Sequence, residues 1–305
     1  MRATMRIPTQ DGLRMTAIFS PVVSSAIVAV AFLVGCSRPL PSDGKLYISD
    51  FDHGPEYRTW RPADIFQEPG SLSLATAVEH DNVQEITRLV ATGIDIDAEG
   101  KDQVTPLSWA FLRRKKAAFA KLLELGANPN VRVINGKPLI FLASRISDDS
   151  DYLKLLLDFK ADPNVEFSAD KKVPFDGVIW MAKGEATRRN TELLIAGGAN
   201  LNHRSRIGNT PAMRAVAQYE LEVAYLILSA GADLDPVNEN GDNIVYTVIS
   251  HEFKHPEAKR WSEQVLDLLR KKGADFSAAE KRLAILDPKR FRRWKEEQAA
   301  RTDPK

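Results

Sequence analysis

The chain has 305 residues, 44% hydrophobic and 27% charged, with a formal net charge of +1. Apolar material on that scale supports a sizeable core and excludes a wholly disordered chain. Residues 1–35 carry a net +2 and the remainder is at −1, a near-neutral body that excludes bulk electrostatic binding to nucleic acid.

Arg2, Arg6 and Arg14 precede an apolar run from Ala26 to Val34, which meets Gly35 and Cys36. A basic segment followed by an apolar one is the order of an export signal. The junction Leu33-Val34-Gly35-Cys36 resembles a bacterial lipobox. That resemblance implies a signal peptide over 1–35, cleavage before Cys36 and a diacylglycerol on its sulfur. It also implies a lipid-anchored protein facing the periplasm, with Ser37 fitting outer-membrane sorting. Cys36 is the single cysteine, so lipidation accounts for it without a disulfide. The alternative is an uncleaved signal anchor over 16–34, near bilayer-spanning length but weakened by Pro21, Ser24 and Ser25.

Residues 36–60 carry Pro39, Pro41 and Pro55 with Gly44 and Gly54, the composition of an extended tether. Residues 61–70 include Ile65 and Phe66 and are expected to cap the apolar end of the segment that starts at residue 71.

One short phrase then recurs, Gly-Ala-Asx-apolar-Asx. It starts at Gly93, Gly126, Lys160, Gly198, Gly231 and Gly273, with spacings of 33, 34, 38, 33 and 42 residues. About 21 residues upstream stands a second phrase, clearest as Thr105-Pro106-Leu107-Ser108-Trp109-Ala110 and Thr210-Pro211-Ala212-Met213-Arg214-Ala215. Degenerate copies lie at 72–77, 137–139, 173–175 and 243–245. Proline suits the first helical turn and threonine caps it, so this phrase starts a helix. Apolar residues at helical spacing, such as Phe119, Leu122, Leu123 and Leu125, form a second helix. Glycine ends that helix in the left-handed region; Lys160 departs from the rule, and a strained or differently shaped cap is expected there.

Both phrases resemble the ankyrin motifs, at the ankyrin period of 33. The resemblance implies an all-α solenoid of about six helix-turn-helix repeats over 71–277, joined by β-hairpin-like loops. No single repeat buries its own apolar face, so both ends need covers. Residues 278–305 are expected to supply a helical C-terminal cap and tail, broken at Asp287-Pro288, with Ala284, Ile285, Phe291 and Trp294 over repeat six. The nine Lys/Arg against five Asp/Glu in this segment suit a solvated capping face, and otherwise contact with an acidic partner or anionic lipid.

One catalytic pattern occurs: His251-Glu252-Phe253-Lys254-His255 spells H-E-x-x-H. In zinc proteases that spacing puts two imidazoles on one helical face. Pro256 comes at once after it and no further zincin pattern appears, so surface histidines are the expected reading and a zinc-dependent hydrolase the remote one. His53, His80 and His203 are scattered. With no Gly-x-Ser-x-Gly elbow, no phosphate-binding glycine loop and no cysteine left for catalysis, neither enzyme activity, cofactor nor metal is expected.

The ankyrin resemblance instead implies a protein partner, held by hairpin tips and first helices at positions free of the consensus. Those positions are Lys101, Asp102, Val104, Leu112 and Arg113 in repeat two, and Ser144 and Arg145 in repeat three. Repeat four offers Trp180 and Met181, and repeat five Arg204, Arg206, Ile207, Asn209, Ala217 and Gln218. Trp and Arg dominate many binding surfaces, which favours Trp180, although filling a distorted helix would serve it equally. Insertions at 146–151, around 183–190 and at 251–260 suit a working face or neutral drift; Asp148, Asp149 and Asp151 would meet a basic partner. Lipid-anchored ankyrin proteins of this layout resemble envelope immunity proteins that neutralise secreted toxins such as phospholipases. The alternative is an envelope scaffold or adaptor for a resident periplasmic protein.

Overall fold

The computed structural model describes residues 60–133, 136–146, 148–181 and 185–302. The lipobox with Cys36 and the tether up to residue 59 lie outside the described residues.

A short α1 (Pro62–Ile65) leads into six helix pairs. They are α2 (Pro69–Glu79) with α3 (Val83–Ala91), α4 (Pro106–Leu112) with α5 (Lys116–Glu124), and α6 (Leu139–Ser144) with α7 (Asp151–Asp158). Then come α8 (Pro174–Met181) with α9 (Glu185–Ala196), α10 (Pro211–Ala217) with α11 (Leu221–Ser229), and α12 (Ile244–Ser250) with α13 (Pro256–Lys271). A final pair, α14 (Phe276–Leu286) and α15 (Pro288–Thr302), completes the order. The second helices form one continuous layer, each of α3, α5, α7, α9, α11 and α13 packing on the next. First helices form the other layer, with α2 on α4, α6 on α8, and α8, α10, α12 and α14 in succession.

The first helices start as their sequences dictate. Thr105 and Thr210 accept hydrogen bonds from the backbone N–H of Ser108 and Met213, and Asn243 does the same for Tyr246. Each such cap contributes about 1 kcal/mol to its helix. The first helices are short and almost wholly buried; every residue from Pro106 to Phe111 and from Leu139 to Ser144 is in the core.

The Gly-Ala-Asx-apolar-Asx phrase does three jobs. Its first residue caps the second helix with a positive φ, +89° to +104° at Gly93, Gly126 and Gly231. Lys160 keeps that conformation at φ 69°, so the cap is ordinary in shape and strained in backbone. The first Asx closes a local turn, as Asn128 Oδ1 accepts from Asn130 N at 2.9 Å. The second Asx reaches the neighbouring repeat. Asp97 Oδ1 accepts from Asn128 N at 3.0 Å, Asn130 Oδ1 from Asp162 N at 2.7 Å, Asn164 Oδ1 from Asn200 N at 2.6 Å, and Asn202 Oδ1 from Asp233 N at 2.8 Å. These four bonds form a ladder running from repeat one to repeat five.

Hairpins project between repeats. In the clearest, β1 (Arg132–Val133) pairs antiparallel with β2 (Lys137–Pro138). In the next, Phe167 bridges Lys172.

Both ends of the stack are covered. Ile65 and Phe66 are 1% exposed, and the Phe66 ring meets the edge of buried Trp109 at 6.4 Å. At the far end, buried Ala279, Leu283 and Trp294 make the cover. Ile285 does not take part: it is 77% exposed, because two residues beyond Leu283 it has turned to the opposite side of α14.

Candidate protein-binding surface

The hairpins and first helices carry most of the sequence-predicted residues, and the structure sorts them by what they touch. Val104 is completely buried under the start of α4, so it belongs to the core and offers nothing to a partner. Ser144 is also buried, donating to the carbonyls of Phe141 and Pro174. Leu112 is half-buried against the core. Arg113 spans two repeats: its Nε and Nη2 grip Glu79, the latter at 2.7 Å, and its guanidinium lies 5.3 Å from the Trp109 ring. Arg145 is buried over the Phe141 ring, and desolvation pushes its pKa down to about 10.

The remaining candidates reach solvent. Lys101 is exposed, its Nζ 5.4 Å from the Trp60 ring, beside Asp102 at a positive φ of 57°. Arg204 donates to the Val237 carbonyl and Arg206 to Asp170, so both tie neighbouring hairpins together. Asn209 accepts from Asn238 at 2.8 Å in the same region. Ala217 and Gln218 are exposed at the end of α10. Met181 ends α8, and its side chain lies outside the described residues. Trp180 is 46% exposed, with the Lys172 ammonium 3.8 Å from its ring centroid.

Large apolar side chains are also exposed along the stack. Within the repeats they are Phe159, Trp180, Ile207, Tyr219 and Val237. Trp180 stands on a first helix, Ile207 and Val237 on hairpins, and Tyr219 in the turn after α10; Phe159 alone caps a second helix. Lone exposed apolar residues need no explanation, but four within repeats four to six, outside the second helices, make that stretch the candidate contact surface. The hairpin residues Lys137, Lys172 and Val237 escaped sequence reasoning, because degenerate repeats blur which hairpin position faces outward.

The acidic insertion has a different use from the one expected. Asp148 pairs with Arg114 at 3.1 Å, while Asp149 and Asp151 both pair with Lys116 at 2.8 Å. The hydrogen bond from Lys116 holds the Asp151 carboxyl below its ordinary range. Buried Asn190 donates to the carbonyls of Ser144 and Ile146, anchoring the start of the same loop. The insertion therefore staples repeat three to its neighbours, each of its three carboxylates already held in an ion pair.

The H-E-x-x-H residues lack the geometry of a zinc protease. Helix α12 stops at Ser250, His251 caps it in extended backbone, and His255 caps the start of α13. The two imidazoles thus share no helical face. Glu252 is held by Arg293 at 2.9 Å, and the His251 ring bonds the Thr247 carbonyl at 2.7 Å and packs against Tyr219 and Phe253. Among the described residues no three His, Cys, Asp or Glu side chains gather into a possible metal site.

No protein-family model matches the chain. Over 146 residues the chain is 32% identical to Protein PhlB of Serratia liquefaciens, covering 48% of this chain and 62% of that one. An ankyrin repeat protein of Acanthamoeba polyphaga mimivirus matches 188 residues at 26% identity, covering 59% of this chain and 24% of its own length. The chain thus spans less than two thirds of either relative. Among solved structures, an ankyrin repeat domain from Acinetobacter baumannii AYE superposes with a TM-score of 0.52 at 21% identity, over 66% of this chain and 98% of that domain. Two-helix units at this period, stacked in two layers and linked by the Asx ladder, give the chain the ankyrin-repeat fold.

Proposed function

We propose that this protein works by holding another protein against the hairpins and first helices of repeats four to six, from the bacterial envelope where a lipid on Cys36 anchors it. The observation that carries the binding reading is the exposure of four large apolar side chains, Trp180, Ile207, Tyr219 and Val237, on the first helices, hairpins and turns of repeats four to six. Aromatic anchors on a pre-formed surface supply binding energy without a large ordering cost. The lone cysteine after Leu33-Val34-Gly35 supports the anchor. In the finer reading the partner is a secreted toxin, such as a phospholipase, and the protein is its immunity factor. This reading rests on the resemblance of the layout to envelope immunity proteins.

Crosslinking of the anchored protein in cells, followed by purification, tests the binding reading: a partner is recovered with wild type and lost with Trp180→Ala combined with Tyr219→Ala. Recovery unaffected by that pair of substitutions would refute the surface. Palmitate labelling abolished in Cys36→Ser checks the anchor. The immunity reading expects that expression protects cells from a cognate toxin, with Cys36→Ser protecting less. Recovery of a resident periplasmic protein instead would replace it with an adaptor role.

A further inference from the structure

The two most exposed large apolar side chains among the described residues are successive and stand outside the six repeats. Ile285 is 77% and Leu286 57% exposed, at the end of α14 where the chain turns through Asp287 into α15. Leu283 and Trp294, both buried, already close the stack from the inner side of this helix pair. The apolar pair on the outer corner adds little to that cover.

Cations frame the pair. Of the eight Lys and Arg on α14 and α15, five are paired to carboxylates, as Arg290 is to Glu297 and Arg293 to Glu252. Lys281, Lys289 and Arg292 are exposed and hold no carboxylate among the described residues. Lys281 lies one turn before Ile285 on the same face of α14, Lys289 three residues past Leu286, and Arg292 one turn further along α15. One acid stands at the corner, Asp287, and it caps α15 by accepting from Arg290 N at 2.9 Å. Glu296 is exposed a further turn beyond Arg292.

We infer that this corner is a membrane-contact site: Ile285 and Leu286 enter the headgroup layer of a bilayer while Lys281, Lys289 and Arg292 meet the phosphates of anionic lipids. Three features select the bilayer. The apolar pair projects from a helix corner, a wedge that a soft surface accepts and that a protein could take only with a pocket. A second copy docked symmetrically here would bring each set of cations against its own kind. Cations beside bare apolar side chains are what an anionic headgroup layer complements, each Lys or Arg near the surface adding about fivefold in affinity. The corner rests on the envelope reading only for a bilayer within reach, and owes nothing to the partner surface of repeats four to six.

The test holds the full chain on vesicles of phosphatidylcholine with phosphatidylglycerol, with a benzophenone photo-crosslinking amino acid at position 285 and, in a separate chain, at exposed position 159 on the second-helix layer. Irradiation and mass spectrometry are expected to find lipid adducts at 285 and few at 159. The yield at 285 should fall about fivefold or more in phosphatidylcholine alone, and likewise with Lys289→Glu combined with Arg292→Glu. Lys171→Glu, an exposed cation on a hairpin, should change nothing. No lipid adduct at 285, equal yields at 159 and 285, or a yield indifferent to lipid charge and to the paired substitution would overturn the inference, whether or not palmitate labels Cys36. In cells, a protein adduct at 285 in place of a lipid one would overturn it in favour of an acidic partner, and a crosslinked dimer in favour of a second copy. Lipid adducts at 285 from a chain that takes up no palmitate would remove the lipid on Cys36 and leave the contact standing.

Discussion

Left-handed residues show how local strain is offset in this chain. Asp81, Arg114 and Tyr219 each occupy the turn between the two helices of a repeat with φ of 53°, 54° and 65°. Glycine would sit there without strain. Each side chain, however, reaches the next repeat: Asp81 Oδ1 accepts from Ala118 N at 2.6 Å, Arg114 pairs with Asp148, and Tyr219 packs on His251 and Phe253. Lys160, at φ 69°, is exposed and makes no such link among the described residues. One kind of substitution should thus have opposite outcomes at two sites. Lys160→Gly should raise stability by about 0.5 kcal/mol, strain relief outweighing the added freedom of the unfolded chain. Asp81→Gly should lower it by about 1 kcal/mol, because Ala118 N loses its acceptor. Urea denaturation of the two variants checks both signs. Lys137 allows a pH test. Its pKa is about 8 in the fold against an ordinary 10.5. Between those values the unfolded chain retains a proton that the folded one has lost, so stability rises with pH across that window. Below pH 8 the full penalty applies. Lys137→Met should therefore be more stable than wild type at pH 7, with the gap closing towards pH 10.5 in parallel denaturation curves.

Helix pairs in repeats three and four sit closer than their sequence suggests. A Cβ on Gly177 of α8 would lie 2.0 Å from Ser144 Oγ and 2.8 Å from the Phe141 carbonyl oxygen, so this glycine sets the approach of α8 to α6. Gly177→Ala should force the helices apart and cost about 2 kcal/mol, within the usual range for overpacking. A lower denaturation midpoint with unchanged helical circular dichroism is the expected result. The periodic phrases made the repeats legible because glycine, proline and Asx each have a local backbone job. Gly177 was not legible, since it lies inside a helix where no turn demands it. Nor were the partners of Asp148, Asp149 and Asp151, which come from the preceding repeat. On the candidate surface, Trp180 and the arginines stood out by residue type. The burial of Val104 and Arg145 and the placing of Lys172 depend on how successive repeats are offset, and irregular spacing conceals that offset.

A stack of this kind is held by each repeat's hold on the next, so its cooperativity is only as strong as its weakest junction. The ladder bond between repeats three and four is doubled: Asn164 accepts from Asn200 N at 2.6 Å and its Nδ2 donates to the Gly198 carbonyl at 3.1 Å. That junction comes after the strained Lys160 cap and before the helix bearing Trp180. Asn164→Ala removes both bonds and leaves Asn200 N without its acceptor. About 2 kcal/mol should be lost if the two bonds are near their usual worth. The more telling consequence is positional. If repeats one to three and four to six are coupled mainly through this junction, weakening it should separate their unfolding. Hydrogen exchange should then show protection falling in α8 and α10 before α4 and α5, where wild type loses all four together. Uniform loss in Asn164→Ala would mean that helix packing, with α6 on α8 and α7 on α9, carries the coupling without the ladder. Either result bears on binding, because a partner gripping Trp180 and the hairpins of repeats four and five would stabilise the half that the substitution loosens.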